Sequence, residues 1–396
     1  MITVKAPAVY VHEANILEQS GSRIAQLGQH VLIIAGESAL EAVKPYLLPS
    51  LEEHKIKFHV QLFHGEVTTG QIDTFTQQAF DLDVDLIIGV GGGKVLDLSK
   101  AVAEQAQLPI VTVPTIAATC AAWSALTVLY DEQGQSAGYR PLRRSPNLVL
   151  ADSHILASAP RRYLAAGIGD TLVKWHEFAV NLSGNATSLT LRNSVSTAKL
   201  ALDILEAHAI DVYESTDTTG STPQFRDVAD AIIVLAGLVG SISDGSLHAA
   251  IAHGLHDSLT KLPETHASLH GEKVAFGLFT QWILEGKAGD ELHELLTLLH
   301  KLNLPITLAE LGIQQQPQEA AARIATGLQL REGSAAHLSF GVSTAQVTEA
   351  ILQADRIGQA FIESSNSIES NGSITKFTES VESNENNSYT KEVSSL

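Results

Sequence analysis

The stretch from Leu86 to Ala103, LIIGVGGGKVLDLSKAVA, constrains the fold more than any other part of the chain. Leu86, Ile87 and Ile88 form a short apolar run without polar alternation, as in a strand buried on both faces of a sheet. Three glycines follow, Gly91, Gly92 and Gly93, and then Val95, Leu96, Leu98, Ala101 and Val102 recur at helical spacing. A buried strand, a glycine turn and a helix in that order aim free backbone N–H groups and the positive end of a helix at one point. Glycines there let a phosphate reach the main chain, because no Cβ blocks it. A dinucleotide pyrophosphate is the expected guest. GVGGGK is neither G-x-G-x-x-G nor a P-loop, so by itself it also fits a plain glycine turn. The next segment argues for the first reading. Leu108, Ile110, Val111 and Val113 form a second apolar strand closed by Pro114, and a small-residue loop, TIAAT, follows from Thr115 to Thr119. Two such strand ends in succession predict a crevice at the carboxyl edge of a parallel sheet.

The rest of the first 160 residues repeats this alternation. Strands are expected over 31–35, 58–63, 128–130 and 147–152, and helices over 39–48, with an irregularity at Pro45, and 72–80. That order predicts an α/β, Rossmann-like domain over 1–160, its parallel sheet covered on both faces. Beyond Pro160 the period becomes helical almost throughout. Helices are expected over 188–208, 228–243, 246–260, 274–285, 292–302, 318–328 and 343–361, giving an all-α domain over 161–362. Residues 363–396 are rich in Ser, Asn and Glu and read as a disordered tail. The active site is expected in the cleft between the two domains.

Composition excludes several classes. A formal net charge of −19 argues against a nucleic-acid partner. No apolar run is long enough to span a bilayer, and the N-terminus lacks a signal-peptide pattern. A single cysteine, Cys120, precludes an intrachain disulfide. The reading is a cytoplasmic enzyme with a small-molecule substrate and no nucleic-acid or membrane partner, expected to be a homo-oligomer.

Three positions in the helical part suggest a metal. Asp170 lies in AAGIGDTLVKWHE, where Gly167 and Gly169 read as preceding a helix start, so it also fits an N-cap. His253 lies in AHGLHDSL, where it also fits a core histidine, and His270 stands at a helix boundary in SLHGEK. One carboxylate and two imidazoles can hold a divalent ion and leave a position for substrate.

The motifs GGGKVLDLSKAVA, VPTIAATCAAWSALTVLY, PNLVLAD, LAAGIGDTLVKW and AHGLHDSLTKLPETHASLHGEKVAFG, in this order and spacing, resemble the glycerol dehydrogenase branch of the metal-dependent, group III (iron-containing type) alcohol dehydrogenases. The resemblance covers about residues 1–362. It implies a dehydroquinate synthase-like fold and a zinc site from Asp170, His253 and His270. It also implies NAD or NADP contacts at Gly92, Gly93, Lys94, Thr115, Ser124, Leu126 and Tyr130. Four-ligand iron relatives carry a histidine where this chain has Lys174, so Zn2+ is expected, with Fe2+ or another divalent ion as the alternative.

Three positions depart from the glycerol dehydrogenase pattern. Cys120 replaces the aspartate that contacts polyol hydroxyls, and Ala118 replaces a serine beside the nicotinamide. Gly36 replaces the aspartate that holds the adenosine ribose, which opens the site to NADP, while Glu37 is adjacent. TCAAW and GIGDTLVKW are closer to the hydroxycarboxylate dehydrogenases of the same family. Lys174, one turn after Asp170, is placed to meet a substrate carboxylate, or else simply pairs with Asp170 or Glu177. The expected activity is therefore hydride exchange between NAD(P) and a small 2-hydroxy acid, with the metal as Lewis acid, His256 as a candidate proton relay and Cys120 as pocket wall. The alternatives are a glycerol dehydrogenase, a lyase resembling dehydroquinate synthase, and a catalytically silent nucleotide-binding protein.

Overall fold

The computed structural model describes residues 1–182, 188–245 and 248–371. Six strands form one parallel sheet in the order β2-β9-β6-β5-β3-β4: β2 (Val9–Glu13), β3 (His30–Ala35), β4 (Lys57–Leu62), β5 (Leu86–Gly91), β6 (Ile110–Pro114) and β9 (Leu148–Asp152). Helices α1 (Gly21–Ile24), α2 (Glu37–Glu53), α3 (Thr69–Asp81) and α4 (Gly93–Ala106) connect these strands, and α5 (Ser153–Ser158) follows the last of them. Alternation on β3 explains the two layers. Val31, Ile33 and Ala35 pack on one side with Leu17, Val43 and Leu47, whereas Leu32 and Ile34 pack on the other with Ile72, Phe75 and Leu98. Because the strands are parallel, the carboxyl ends of β3, β5 and β6 lie side by side, with Ala35 opposite Val90 and Gly91 opposite Pro114.

A hairpin of β7 (Leu126–Tyr130) and β8 (Ser136–Pro141) leaves this edge. It is fastened to α4 by groups buried inside the protein. Lys100 donates to the carbonyls of Ser124 (3.0 Å) and Leu126 (2.6 Å) and pairs with Asp97 (2.8 Å), while Asp97 accepts from the Val128 N–H.

The second part of the chain is helical: α6 (Arg161–Ala179), α7 (Leu189–Glu214), α8 (Pro223–Asp230), a π turn at Ala231–Leu235, α9 (Ala236–Val239), α10 (Ile251–Leu259), α11 (His270–Leu284), α12 (Gly289–Lys301), α13 (Pro317–Gly327) and α14 (Thr344–Asn371). A large apolar cluster from Ala165 and Ile168 through Phe276 and Phe279 to Ile351 and Phe361 unites it. Among the described residues, no helix is long and apolar enough to cross a membrane.

Four expectations need correction. The single helix over 228–243 is broken by the π turn and ends in β10 (Ile242–Ser243), which pairs antiparallel with β1 (Thr3–Val4). The π turn adds a residue to one helical turn. Just beyond it, Gly237 lies so close to Trp123 that a Cβ would meet its ring at 2.4 Å. The helix expected from 246 begins at Ile251. Asp170 is no N-cap, because α6 begins at Arg161 and runs through Gly167 and Gly169. The tail was expected from 363, yet α14 continues to Asn371, since extending a formed helix is far easier than nucleating one. The remainder of that expected tail lies outside the described residues.

Candidate active site

Glycines bring the two parts together. A Cβ on Gly167 would lie 2.1 Å from the Ala117 carbonyl, and one on Gly271 would lie 1.8 Å from the Ala166 carbonyl. Only a bare backbone lets α6 press against the loop after β6 on one side and α11 on the other. Arg162 at the start of α6 clamps Glu272 in α11 (2.5 and 2.8 Å), and Glu272 accepts the Leu269 N–H (2.6 Å). These contacts fix the first residue of α11, His270, beside Asp170.

Asp170, His253 and His270 meet here, each offering one ligand atom, all within 4.8 Å of one another. The donor chemistry fits a divalent ion. Asp170 is buried, and its Oδ1 faces His253 Nε2 at 3.2 Å and His270 Nε2 at 3.5 Å. Both Nδ1 atoms are engaged elsewhere: His253 Nδ1 donates to Glu177 at 2.6 Å, and His270 Nδ1 lies 2.9 Å from His256 Nε2. Each ring thus turns Nε2 toward the same space, with a partner behind it, as metal-binding histidines do. Burial disfavours the Asp170 carboxylate, but Lys174, His253 and His270 outweigh it and hold its pKa well below the usual range. Burial likewise opposes charge on His253, yet Glu177 and Asp170 raise it to about 9.

Lys174 enters the same space, with Nζ 2.8 Å from Asp170 Oδ1 and 3.0 Å from His253 Nε2. The ion pair with Asp170 is therefore formed. Cys120, in a short 3-10 turn after the TIAAT loop, lies within electrostatic reach of Lys174 and Asp170. Burial pushes its thiol up against the pull of Lys174, which suits a pocket wall and not a thiolate nucleophile. His256 is buried behind His270, with Nδ1 against Asp257 (3.1 Å) and burial pushing its pKa down to about 3. Its two nitrogens thus join His270 to Asp257, whose side chain is 55% exposed.

The expected cofactor residues gather at the sheet edge. Gly92 caps α4 and Gly93 is its first residue, while Gly36 stands at the end of β3 and Thr115 at the end of β6. A Cβ on Gly92 would strike Ile116 at 2.7 Å. Ala118 sits in the loop that presses on α6, and Ser124, Leu126 and Tyr130 belong to the hairpin tied down by Lys100. Lys94 pairs with Glu66 and lies over the Tyr130 ring, 5.5 Å from its centroid.

Sequence reasoning gave no site role to Glu177, Asp257, Asp97 or Lys100. Glu177 stands two turns after Asp170 on the same helix face, a usable signal. Asp97 and Lys100 are charges within an apolar helical pattern, which is another.

This fold and this cluster fit a metal-dependent dehydrogenase built on a parallel, Rossmann-like sheet. Residues 7–153 match the family described as iron-containing alcohol dehydrogenase. A glycerol dehydrogenase from Pseudomonas putida is 35% identical over 365 residues, 91% of this chain and 99% of the relative. Hydroxycarboxylate dehydrogenase A from Escherichia coli (strain K12) is 39% identical over 281 residues, 71% of this chain and 76% of the relative. The crystal structure of glycerol dehydrogenase from Schizosaccharomyces pombe superposes with a TM-score of 0.82 at 28% identity, covering 92% of both chains. The chain belongs to the iron-containing alcohol dehydrogenase family and is an oxidoreductase acting on CH–OH groups.

Proposed function

We propose that the protein is a metal-dependent, NAD(P)-linked dehydrogenase of a small alcohol bearing oxygen on the neighbouring carbon, a polyol of the glycerol type. The observation that carries this reading is the convergence of Asp170, His253 and His270 on one space. The loop after β6, which presses on α6, joins that cluster to the glycine turn of β5 and α4. Relatives named glycerol dehydrogenase that align over nine-tenths of the chain favour a polyol over the 2-hydroxy acid expected from the motifs.

In this reading Asp170, His253 and His270 hold Zn2+, or Fe2+ in its place, and the bound ion supplies Lewis acidity to the substrate oxygen. A nicotinamide dinucleotide supplies the hydride donor or acceptor. Gly92, Gly93 and Lys94 receive its pyrophosphate, Gly36 faces its adenosine ribose, and Thr115, Ala118, Ser124, Leu126 and Tyr130 line the rest of its course. Cys120 walls the substrate space and Lys174 sets its charge. The helices around Asp170 exclude water, which strengthens every charge interaction inside.

Lys174 favours a second reading. An ammonium beside Asp170, with Cys120 where a carboxylate would stand, suits a 2-oxo acid. A panel of glycerol, dihydroxyacetone, 2-oxobutanoate and 2-oxoglutarate, each with the appropriate form of both NAD and NADP, tests the two. Higher kcat/KM for the glycerol pair is expected. A clear preference for the 2-oxo acids would replace the first reading with the second, and no turnover with any of them would overturn both.

A further inference from the structure

The two metal-facing histidines are held from behind in different ways. His253 Nδ1 meets the buried carboxylate of Glu177 directly at 2.6 Å. Among the described residues His270 Nδ1 meets no carboxylate; it lies 2.9 Å from His256 Nε2, and His256 Nδ1 lies 3.1 Å from Asp257 Oδ1. An ionised carboxylate only accepts. Asp257 therefore takes the Nδ1 proton of His256, which leaves His256 Nε2 as an acceptor. That atom in turn takes the Nδ1 proton of His270, and the His270 Nε2 lone pair is left facing Asp170.

From this chain of bonds we infer that Asp257 is a positioning residue for the metal, acting through His256 to fix the tautomer of His270. The inference rests on the metal reading of the Asp170 cluster. Asp257 does for His270, one ring removed, what Glu177 does for His253. His256 is then a positioning residue as well. The Asp257 side chain is 55% exposed, so its removal leaves no cavity.

The test is a set of Zn2+ dissociation constants, measured on the metal-stripped full chain by competition with a chromogenic chelator. Partners of this kind typically change metal affinity by about 10–100-fold. Asp257→Ala should weaken Zn2+ binding by roughly tenfold or more with the melting temperature of the metal-free protein unchanged. His256→Phe should weaken it at least as much. The double variant should bind no more weakly than His256→Phe alone, because Asp257 acts only through that ring. In His256→Gln the side-chain carbonyl can accept from His270 without help, so affinity should return and Asp257→Ala should cost nothing in that background. This variant decides the matter if His256→Phe does not fold. In the Zn2+-loaded wild type, imidazole 15N–1H spectra should show His270 protonated at Nδ1. Wild-type affinity in Asp257→Ala would overturn the inference. So would additive losses in the double variant, which mark a through-space charge effect. A wild type that binds no Zn2+ overturns the metal reading itself.

Discussion

The Lys174 ammonium sits 2.8 Å from Asp170 Oδ1, one helical turn away on α6, and 3.0 Å from His253 Nε2, inside the cluster proposed to hold the metal. A cation bound by Asp170 and His253 and the ammonium that touches both compete for the same electrons. Lys174→Met removes the competitor, so Zn2+ should bind several-fold more tightly. The same substitution separates the two substrate readings. A charge-assisted hydrogen bond is worth about 1.5–3 kcal/mol, which is roughly tenfold or more in KM. KM for glycerol should change little, and KM for 2-oxobutanoate should rise at least tenfold if Lys174 meets its carboxylate. Equal KM changes for both compounds would remove Lys174 from substrate recognition.

The metal-free protein should lose stability as pH rises. His253 is raised to about 9, above its ordinary 6.5, because Glu177 and Asp170 outweigh burial and Lys174. A group whose pKa is higher in the folded state contributes fully below pH 6.5, and that contribution fades as pH climbs through 9. Burial pushes Lys273 down to about 8, and this group works in the opposite sense above pH 8. The readout is therefore a difference. Wild type minus His253→Gln, both stripped of metal, should shrink in melting temperature from pH 6 to pH 9.5. A constant difference would show that His253 does not carry the effect. Since Zn2+ must displace the same proton, wild-type Zn2+ affinity should increase over this range.

Lys100 holds the hairpin that carries Ser124, Leu126 and Tyr130. Its Nζ is buried and satisfied by the two carbonyls and Asp97. Lys100→Met leaves the Asp97 carboxylate buried without its cation, a change that typically costs about 3–5 kcal/mol. Urea denaturation should show a loss of that size. Lys100→Met combined with Asp97→Asn should recover a substantial part of it. No recovery would mean that the carbonyls of Ser124 and Leu126, and not the ion pair, dominate.

The α/β part was legible because buried parallel strands announce themselves by unbroken apolar runs, as Leu86–Ile88 and Val31–Ala35 do. Asp170, His253 and His270 stood out by residue type, and the fold brings them within 4.8 Å. What the chain did not reveal is how it packs. Gly167 and Gly169 resembled breakers before a helix, yet Gly167 lies inside one because the Ala117 carbonyl leaves no room for a Cβ. The bonds from His270 through His256 to Asp257 depend on ring orientations that spacing along α10 and α11 does not encode.

The last prediction concerns the cofactor. Gly36 follows β3 and caps α2, with φ −77° and ψ 149°, a conformation any residue adopts. A Cβ there would meet Val95 Cγ2 at 3.6 Å and Ala39 Cβ at 3.9 Å, ordinary contacts, so an aspartate fits without displacing anything. Aspartate is also a good N-cap, so Gly36→Asp should leave the melting temperature equal or slightly higher. At the end of this strand a carboxylate accepts from the ribose hydroxyls of NADH and repels the 2′-phosphate of NADPH. The ratio of NADPH to NADH dissociation constants, read by quenching of intrinsic tryptophan fluorescence, should rise at least tenfold. Glu37, exposed at the start of α2, is the competing explanation for any preference the wild type already has. Glu37→Gln should then shift the ratio toward NADPH. If Gly36→Asp leaves the ratio unchanged while Glu37→Gln moves it, the ribose is held by Glu37 and the glycine has no part in the choice.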